Sequence, residues 1–283
     1  MNLNTADSSA SSADRTLPIL QVDAFAASRF RGNPAAVVPL TDDWLDAELM
    51  QAIALENHLS ETAFFHGSDG VYQLRWFTPT LEVELCGHAT LASGYVVLTQ
   101  LEPGRERVTF ESRSGPLHVT RQDDRFALDF PTVELEPCDS TDALVGALGA
   151  DRSTIVDVRH NEDDHVVIFE SESAVRAITP NFEAIEALPK RVGCLITGPA
   201  DDPNVDYVCR YFAPSAGVPE DPATGSAQCR LAPIWSERLG KKRMVSHQIS
   251  RRGGELFVDM GIGEGRVEIA GRVIPYLVGE ITV

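Results

Sequence analysis

Lysine is nearly absent from this chain: Lys190, Lys241 and Lys242 stand alone among 24 basic residues, and the rest are arginine. Against 42 acidic residues this gives a formal charge of −18, a sign that excludes the basic surface needed by nucleic acid or an anionic membrane. An anionic small molecule can still bind, through a local device such as a helix N-terminus. Long apolar runs are missing too, since stretches such as Tyr95-Val96-Val97-Leu98 are far too short to span a bilayer. The five cysteines (Cys86, Cys138, Cys194, Cys209, Cys229) are odd in number and show no Cys-x-x-Cys spacing. Their pattern excludes a disulfide framework or a structural zinc site and fits reduced thiols in the cytoplasm. No Gly-x-Gly-x-x-Gly and no Gly-Lys-Ser/Thr occurs, so nothing asks for a nucleotide cofactor. Residues Met1 to Thr16 are rich in Ser, Ala and Asp and lack both a cationic start and an apolar core. They read as a disordered tail and not as a secretory signal.

What the chain does contain is a repeat. Arg75-Trp76-Phe77-Thr78-Pro79 returns as Arg210-Tyr211-Phe212-Ala213-Pro214, and Leu85-Cys86-Gly87-His88-Ala89-Thr90 is answered by Asp221-Pro222-Ala223-Thr224-Gly225-Ser226. Setting Arg75 on Arg210 and Cys86 on Asp221 gives the same offset (210 − 75 = 221 − 86 = 135), which marks a duplicated unit. Each copy then runs into a small-residue, helix-like segment, so two facing copies bring Cys86 and Asp221 to one central cleft. A length of 283 residues is comfortable for two domains, and 43% hydrophobic residues fit a soluble globular protein.

In chain order, Ile19 to Phe25 and Ala35 to Val38 read as strands around a Gly32-Asn33-Pro34 turn. Thr41 with Asp42-Asp43 predicts a helix start, and Leu45, Leu49 and Ile53 carry the helical spacing to about Asn57. Strands follow at Leu59–Phe65 and Val71–Phe77. The segment Cys86–Leu98 has no polar face and predicts a buried helix, whose free N–H groups can hold a carboxylate. Val108–Ser112, Leu117–Thr120 and Phe126–Phe130 predict a meander.

After a connector from Pro131 to Asp151 the order repeats, with strands at Ser153–Val158 and His165–Phe169, a helix at Asn181–Leu188, and strands at Val192–Thr197 and Asp206–Phe212. A second small-residue helix, Gly225–Leu239, carries Pro233, which should kink or break it. Val245–Arg251, Glu255–Met260 and Arg266–Ile269 repeat the meander. The expected class is α+β (α/β), with residues 17–131 and 132–283 as two halves, each a sheet wrapped on one buried helix. The offset carries Glu61 onto Ile196, so the chemistry is expected to be asymmetric.

Glu61 sits in an apolar strand, where an unpaired buried carboxylate would cost several kcal/mol. Alternation places it with Leu59, Ala63 and Phe65; a shift of one residue leaves it in solvent, and both readings stand. Cys86 and His88 are metal-ligand types, but no other His or Cys lies at ligand spacing, so no metal is expected. Positions i and i+2 of a helix do not face each other, so a direct Cys86–His88 pair is not expected either. Cys86 reads as a small buried hydrophobe or as a thiol activated by a helix N-terminus. His88 reads as a hydrogen-bonded structural residue, and Asp221 and Ser226 as caps of the second helix.

Gly32-Asn33-Pro34, Leu59-Ser60-Glu61-Thr62, Cys86-Gly87-His88-Ala89-Thr90 and Asp221-Pro222-Ala223-Thr224-Gly225-Ser226-Ala227 together resemble the signature of the PhzF (phenazine biosynthesis-like) family, over nearly the whole chain from Leu17. The resemblance implies the diaminopimelate epimerase-like fold, two pseudo-symmetric halves with the active site between them. It implies an isomerase acting without cofactor or metal, like the family's isomerisation of trans-2,3-dihydro-3-hydroxyanthranilate, and a homodimer whose other partner is a small carboxylate. By the same resemblance Glu61 is the acid/base that moves a proton between carbons, and His88 and Asp221 surround it and hold the substrate. Ser226 contacts substrate, beside Cys86, Gly87 and Gly225. A carboxylate in an apolar cleft is suited to giving and taking protons near neutrality. Two alternatives stay open: an amino-acid epimerase or racemase using Cys86 and Asp221, and a non-catalytic small-molecule binder that keeps the fold.

Overall fold

The computed structural model describes residues 15–188 and 193–283; most of the expected tail lies outside them, and strand β1 (Thr16–Ala24) already begins at the tail's last residue. Strand β2 (Asn33–Pro39) lies antiparallel to β1 and parallel to β3 (Glu61–Ser68), with helix α1 (Ala47–Asn57) as the crossover a parallel pair requires. The helix starts later than Thr41 predicted, because the Asp46 carboxylate accepts the Glu48 N–H and serves as its cap. Strand β4 (Val71–Phe77) pairs with β3 and with the short β5 (Glu82–Val83). Helix α2 (Gly87–Val96) then runs into a π turn at Val97–Leu101. Strands β6 (Arg107–Ser112), β7 (Gly115–Gln122) and β8 (Arg125–Pro131) form the expected meander, with β6 parallel to β4.

The connector holds two elements that were not expected, β9 (Glu136–Pro137) and α3 (Asp142–Leu148), the latter capped by Thr141. The second unit then repeats the pairings of the first. Strands β10 (Ile155–His160) and β11 (Asp164–Phe169) are antiparallel, and α4 (Glu172–Ala177) and α5 (Phe182–Glu186) cross to β12 (Gly193–Pro199), parallel to β11. The predicted start of that strand at Val192 lies outside the described residues. Strands β13 (Tyr207–Ala213) and β14 (Val218–Asp221), helix α6 (Ala227–Leu239) and the meander β15 (Arg243–Gln248), β16 (Gly254–Asp259), β17 (Arg266–Gly271) follow, with β15 parallel to β13. A last strand, β18 (Val273–Thr282), pairs with β1, just as β9 pairs with β10, and β8 pairs with β17. Each unit is therefore followed by a strand that joins the first strand of the other. This is the two-half, pseudo-symmetric arrangement expected.

The strand register does not keep the constant offset. Phe64 opposes Arg75 in the first unit and Ile196 opposes Arg210 in the second, so Phe64 corresponds to Ile196 and Glu61 to Gly193. Arg75 pairs with Glu82 seven residues on, whereas Arg210 pairs with Glu220 ten residues on. The three extra residues fall between Pro214, which matches Pro79, and Glu220, in the stretch that opens with the 3-10 turn Pro214–Ala216. Beyond it the offset is 220 − 82 = 138, and the counterpart of Cys86 is Thr224, not Asp221.

Helix α2 is buried on nearly every side and packs on β1, β2, β3, β7 and β8. Close approach depends on Gly94, where a Cβ would stand 2.4 Å from Val119 Cγ1 of β7. Helix α6 runs through Pro233 without a break. The Cys229 carbonyl that Pro233 cannot satisfy accepts the Val133 N–H at 2.9 Å instead. Among the described residues no helix is long and apolar enough to cross a membrane.

Candidate active site

The starts of α2 and α6 meet at a cleft of about 190 Å³ lined by Glu61, Cys86, His88, Tyr211, Asp221 and Ser226. Gly87 and Gly225 line it as well, so every residue singled out in the sequence reaches one place. A larger cavity of about 470 Å³ lies between Lys241, Arg243 and Phe257, far from these residues in character, and its Lys241 and Arg243 are already paired with Asp206 and Asp259.

Glu61 is the first residue of β3. That strand is covered on both faces from Thr62 to Phe65, so alternation carries no information there. Its side chain is neither in the core nor in open solvent: 14% exposed, it turns to the cleft, with Oε2 3.0 Å from His88 Nε2. The contact is an ion pair when the ring is protonated, and among the described residues neither atom has another hydrogen-bond partner.

His88 lies in the first turn of α2, and its Nδ1 stands 3.5 Å from Cys86 Sγ. The pairing excluded on helical spacing therefore occurs. Cys86 precedes the helix with extended backbone, φ −143° and ψ 109°, and helical spacing does not apply to it. Asp221 ends β14 and is not a cap. Its Oδ1 accepts from Asn33 Nδ2 at 2.8 Å, and its Oδ2 accepts from the Thr224 hydroxyl. Gln248 fixes the same segment from behind, donating to the Asp221 carbonyl at 2.7 Å and accepting from the Thr224 N–H at 2.8 Å. Ser226 occupies the position before α6 but makes no capping bond, which leaves its hydroxyl to the cleft.

The asymmetry of the site has a steric cause. At Gly193, the counterpart of Glu61, a Cβ would lie 2.3 Å from the Phe212 carbonyl oxygen and 3.2 Å from Tyr211 Cε2. The Tyr211 ring, tied through its hydroxyl to Asp164 at 2.9 Å, fills the space a second acid would need.

Burial shapes the electrostatics. It pushes the Cys86 thiol up, and the Glu61 charge pushes it further the same way, so Cys86 is no ready thiolate. Burial by itself would lower the His88 pKa, but the Glu61 charge, joined by Cys86 whenever that thiol ionises, outweighs it and holds the imidazole well above its usual value. Asp221 is raised by burial, against the pull of His88, Thr224 and Asn33.

Glu61, Cys86 and His88 also bring one ligand atom each within 4.8 Å of one another, a grouping that sequence spacing did not reveal. The ring turns Nδ1 to the thiol and Nε2 to the carboxylate, so it stands between these two groups rather than beside both.

Asn33 is the residue that sequence reasoning missed. Its place between Gly32 and Pro34 reads as a turn, but Gly32 takes the left-handed position (φ +70°), and Asn33 begins β2 with no exposed surface. Its signal was the glycine before it, which already satisfies the turn.

A family profile described as phenazine biosynthesis-like protein matches residues 22–279. An uncharacterized isomerase of Pseudomonas aeruginosa is 48% identical over 94% of this chain and 98% of its own length. The crystal structure of a PhzF-family phenazine biosynthesis protein from Enterococcus faecalis superposes with a TM-score of 0.89 at 40% identity, covering 95% of this chain and all of that one (100%). A predicted epimerase of Pseudomonas aeruginosa, with a TM-score of 0.67 at 22% identity over 94% of this chain and 99% of that one, shares the fold alone.

Proposed function

The chain belongs to the phenazine biosynthesis-like (PhzC-PhzF) family, and on that footing we propose that it is a cofactor-independent isomerase. It moves a proton between carbons of a small cyclic or amino-acid-like carboxylic acid, a dihydro-hydroxyanthranilate or a relative of it. The observation that carries this reading is the Glu61 carboxylate held in the cleft 3.0 Å from His88 Nε2. Glu61 takes the proton from one carbon and returns it to another, as a positioned carboxylate within reach of both can. His88 steadies the charge on Glu61 when the carboxylate is free. Asp221 and the Ser226 hydroxyl hold the substrate's polar groups, and the N–H groups at Gly87 and Gly225, where the helices start, receive its carboxylate. We read the enzyme as a homodimer of the cytoplasm, a compartment supported by an odd number of cysteines with no Cys-x-x-Cys spacing.

Deuterium incorporation from D₂O into candidate acids tests the proposal. Exchange that vanishes in Glu61→Gln supports it; exchange at an amino acid's α-carbon that depends on Cys86 would move the protein to the epimerases.

A further inference from the structure

One side chain touches the surroundings of all three candidate catalytic groups. Asn33 Nδ2 stands 2.8 Å from Asp221 Oδ1, 3.0 Å from the Ala223 carbonyl and 3.2 Å from His88 Nδ1. Its Oδ1 accepts the Ser60 hydroxyl at 3.3 Å, one residue before Glu61. Asn33 belongs to the first half of the chain, Asp221 and Ala223 to the second. The amide's orientation is fixed, because turned over its oxygen would face the oxygens of Asp221 and Ala223. An amide nitrogen has two hydrogens, and the two shorter contacts take both. His88 Nδ1 therefore receives no hydrogen from Asn33 and is left to Cys86 Sγ. The start of β2 is itself held, since Arg252 donates to the Gly32 carbonyl at 2.9 Å and to Asp23 Oδ1 at 2.7 Å.

We propose that Asn33 is the positioning residue of the cleft: a neutral donor of two hydrogens in one half that holds the Asp221–Ala223 segment of the other in place against Glu61 and His88. The inference rests on the isomerase reading above. A carboxylate cannot take over this role. In Asn33→Asp two oxygens face the Asp221 and Ala223 oxygens, and only the protonated form offers a hydrogen. In Asn33→Ala, Asp221 Oδ1 and the Ala223 carbonyl lose their shared donor, and Asp221 takes up a proton more readily.

Two measurements test it together: the pH–rate profile on a substrate that the wild type exchanges, and ¹⁵N NMR titration of the His88 ring, assigned by its loss in His88→Gln. Asn33→Ala should lower kcat by roughly 100-fold, the scale expected when catalytic groups are displaced by about an ångström, with KM changed less. Asn33→Asp should be inactive near neutrality and recover part of its rate as pH falls. The His88 midpoint should move in opposite directions, down in Asn33→Ala as Asp221 loses charge and up in Asn33→Asp while the new carboxylate is charged. A merely structural role gives two variants with equal losses, no recovery in acid and no opposed shifts. Wild-type kcat and an unchanged His88 titration in Asn33→Ala would overturn the proposal. If Asn33→Asp does not fold, Asn33→Ser, with a single hydrogen to give, replaces it and should fall between wild type and Ala; activity equal to that of Asn33→Ala would count against the role. A wild type that turns over no candidate acid contradicts the isomerase reading alone, since the His88 shifts still decide the place of Asn33.

Discussion

Glu61 and His88 face each other across 3.0 Å, one at the first residue of a strand and the other in the first turn of a buried helix. The strand supplies a fixed base for the carboxylate and the helix a fixed base for the ring. Their separation is therefore set by how β3 packs on α2, not by a flexible loop.

Cys86 is predicted to be dispensable for the chemistry. Its thiol is pushed up by burial and by Glu61, which makes it a poor thiolate. Cys86→Ala should keep activity within about tenfold of wild type, whereas loss of a true acid/base group costs on the order of 10²–10⁴-fold. Steady-state kinetics on the exchanged substrate separate the two outcomes, and the larger loss would favour the epimerase alternative.

His88 should link stability to pH. Its folded pKa lies above the ordinary 6.5, so the folded state binds this proton more tightly than the unfolded chain. The stabilisation is fully present below the unfolded value and is lost as pH rises through the folded one. Urea unfolding should show a wide gap between wild type and His88→Gln near about pH 6 and a narrower one near about pH 9. A gap that widened toward alkaline pH would contradict the assignment.

Gly94→Ala should destabilise the protein by about 1–3 kcal/mol, the usual cost of forcing extra volume into a packed core. The added methyl would lie 2.4 Å from Val119 Cγ1, and α2 is enclosed by strands on several sides. A lowered thermal midpoint with the site chemistry retained is the expected result; an unchanged midpoint would show that β7 yields easily.

Much of this was legible in the sequence, for identifiable reasons. The Arg75 and Arg210 strands were visible because each couples an arginine to aromatics, and the arginine then makes the same partly buried ion pair in both halves. The buried helix at Cys86–Leu98 was visible because it lacks a polar face. The exchange of strands between the units was not: β18 leaves Tyr276, Leu277 and Val278 exposed, so no alternating pattern marks it. Helix α4 is only six residues long, too short for a period. The offset of Cys86 and Asp221 misled because three extra residues between Pro214 and Glu220 shift everything after them. Within the site, the titratable residues were legible by type, whereas Asn33, which ties them together, looked like a turn residue next to Gly32 and Pro34.

The central claim is that Glu61 carries the proton. The most direct measurement follows deuterium from D₂O into a panel of cyclic and amino-acid-like carboxylic acids, dihydro-hydroxyanthranilate among them, by NMR with wild type and Glu61→Gln at matched folded concentration. Deuterium is expected at a substrate carbon with wild type and none above background with Glu61→Gln, while circular dichroism of the two proteins coincides. Exchange by a folded Glu61→Gln at the wild-type rate would contradict the claim.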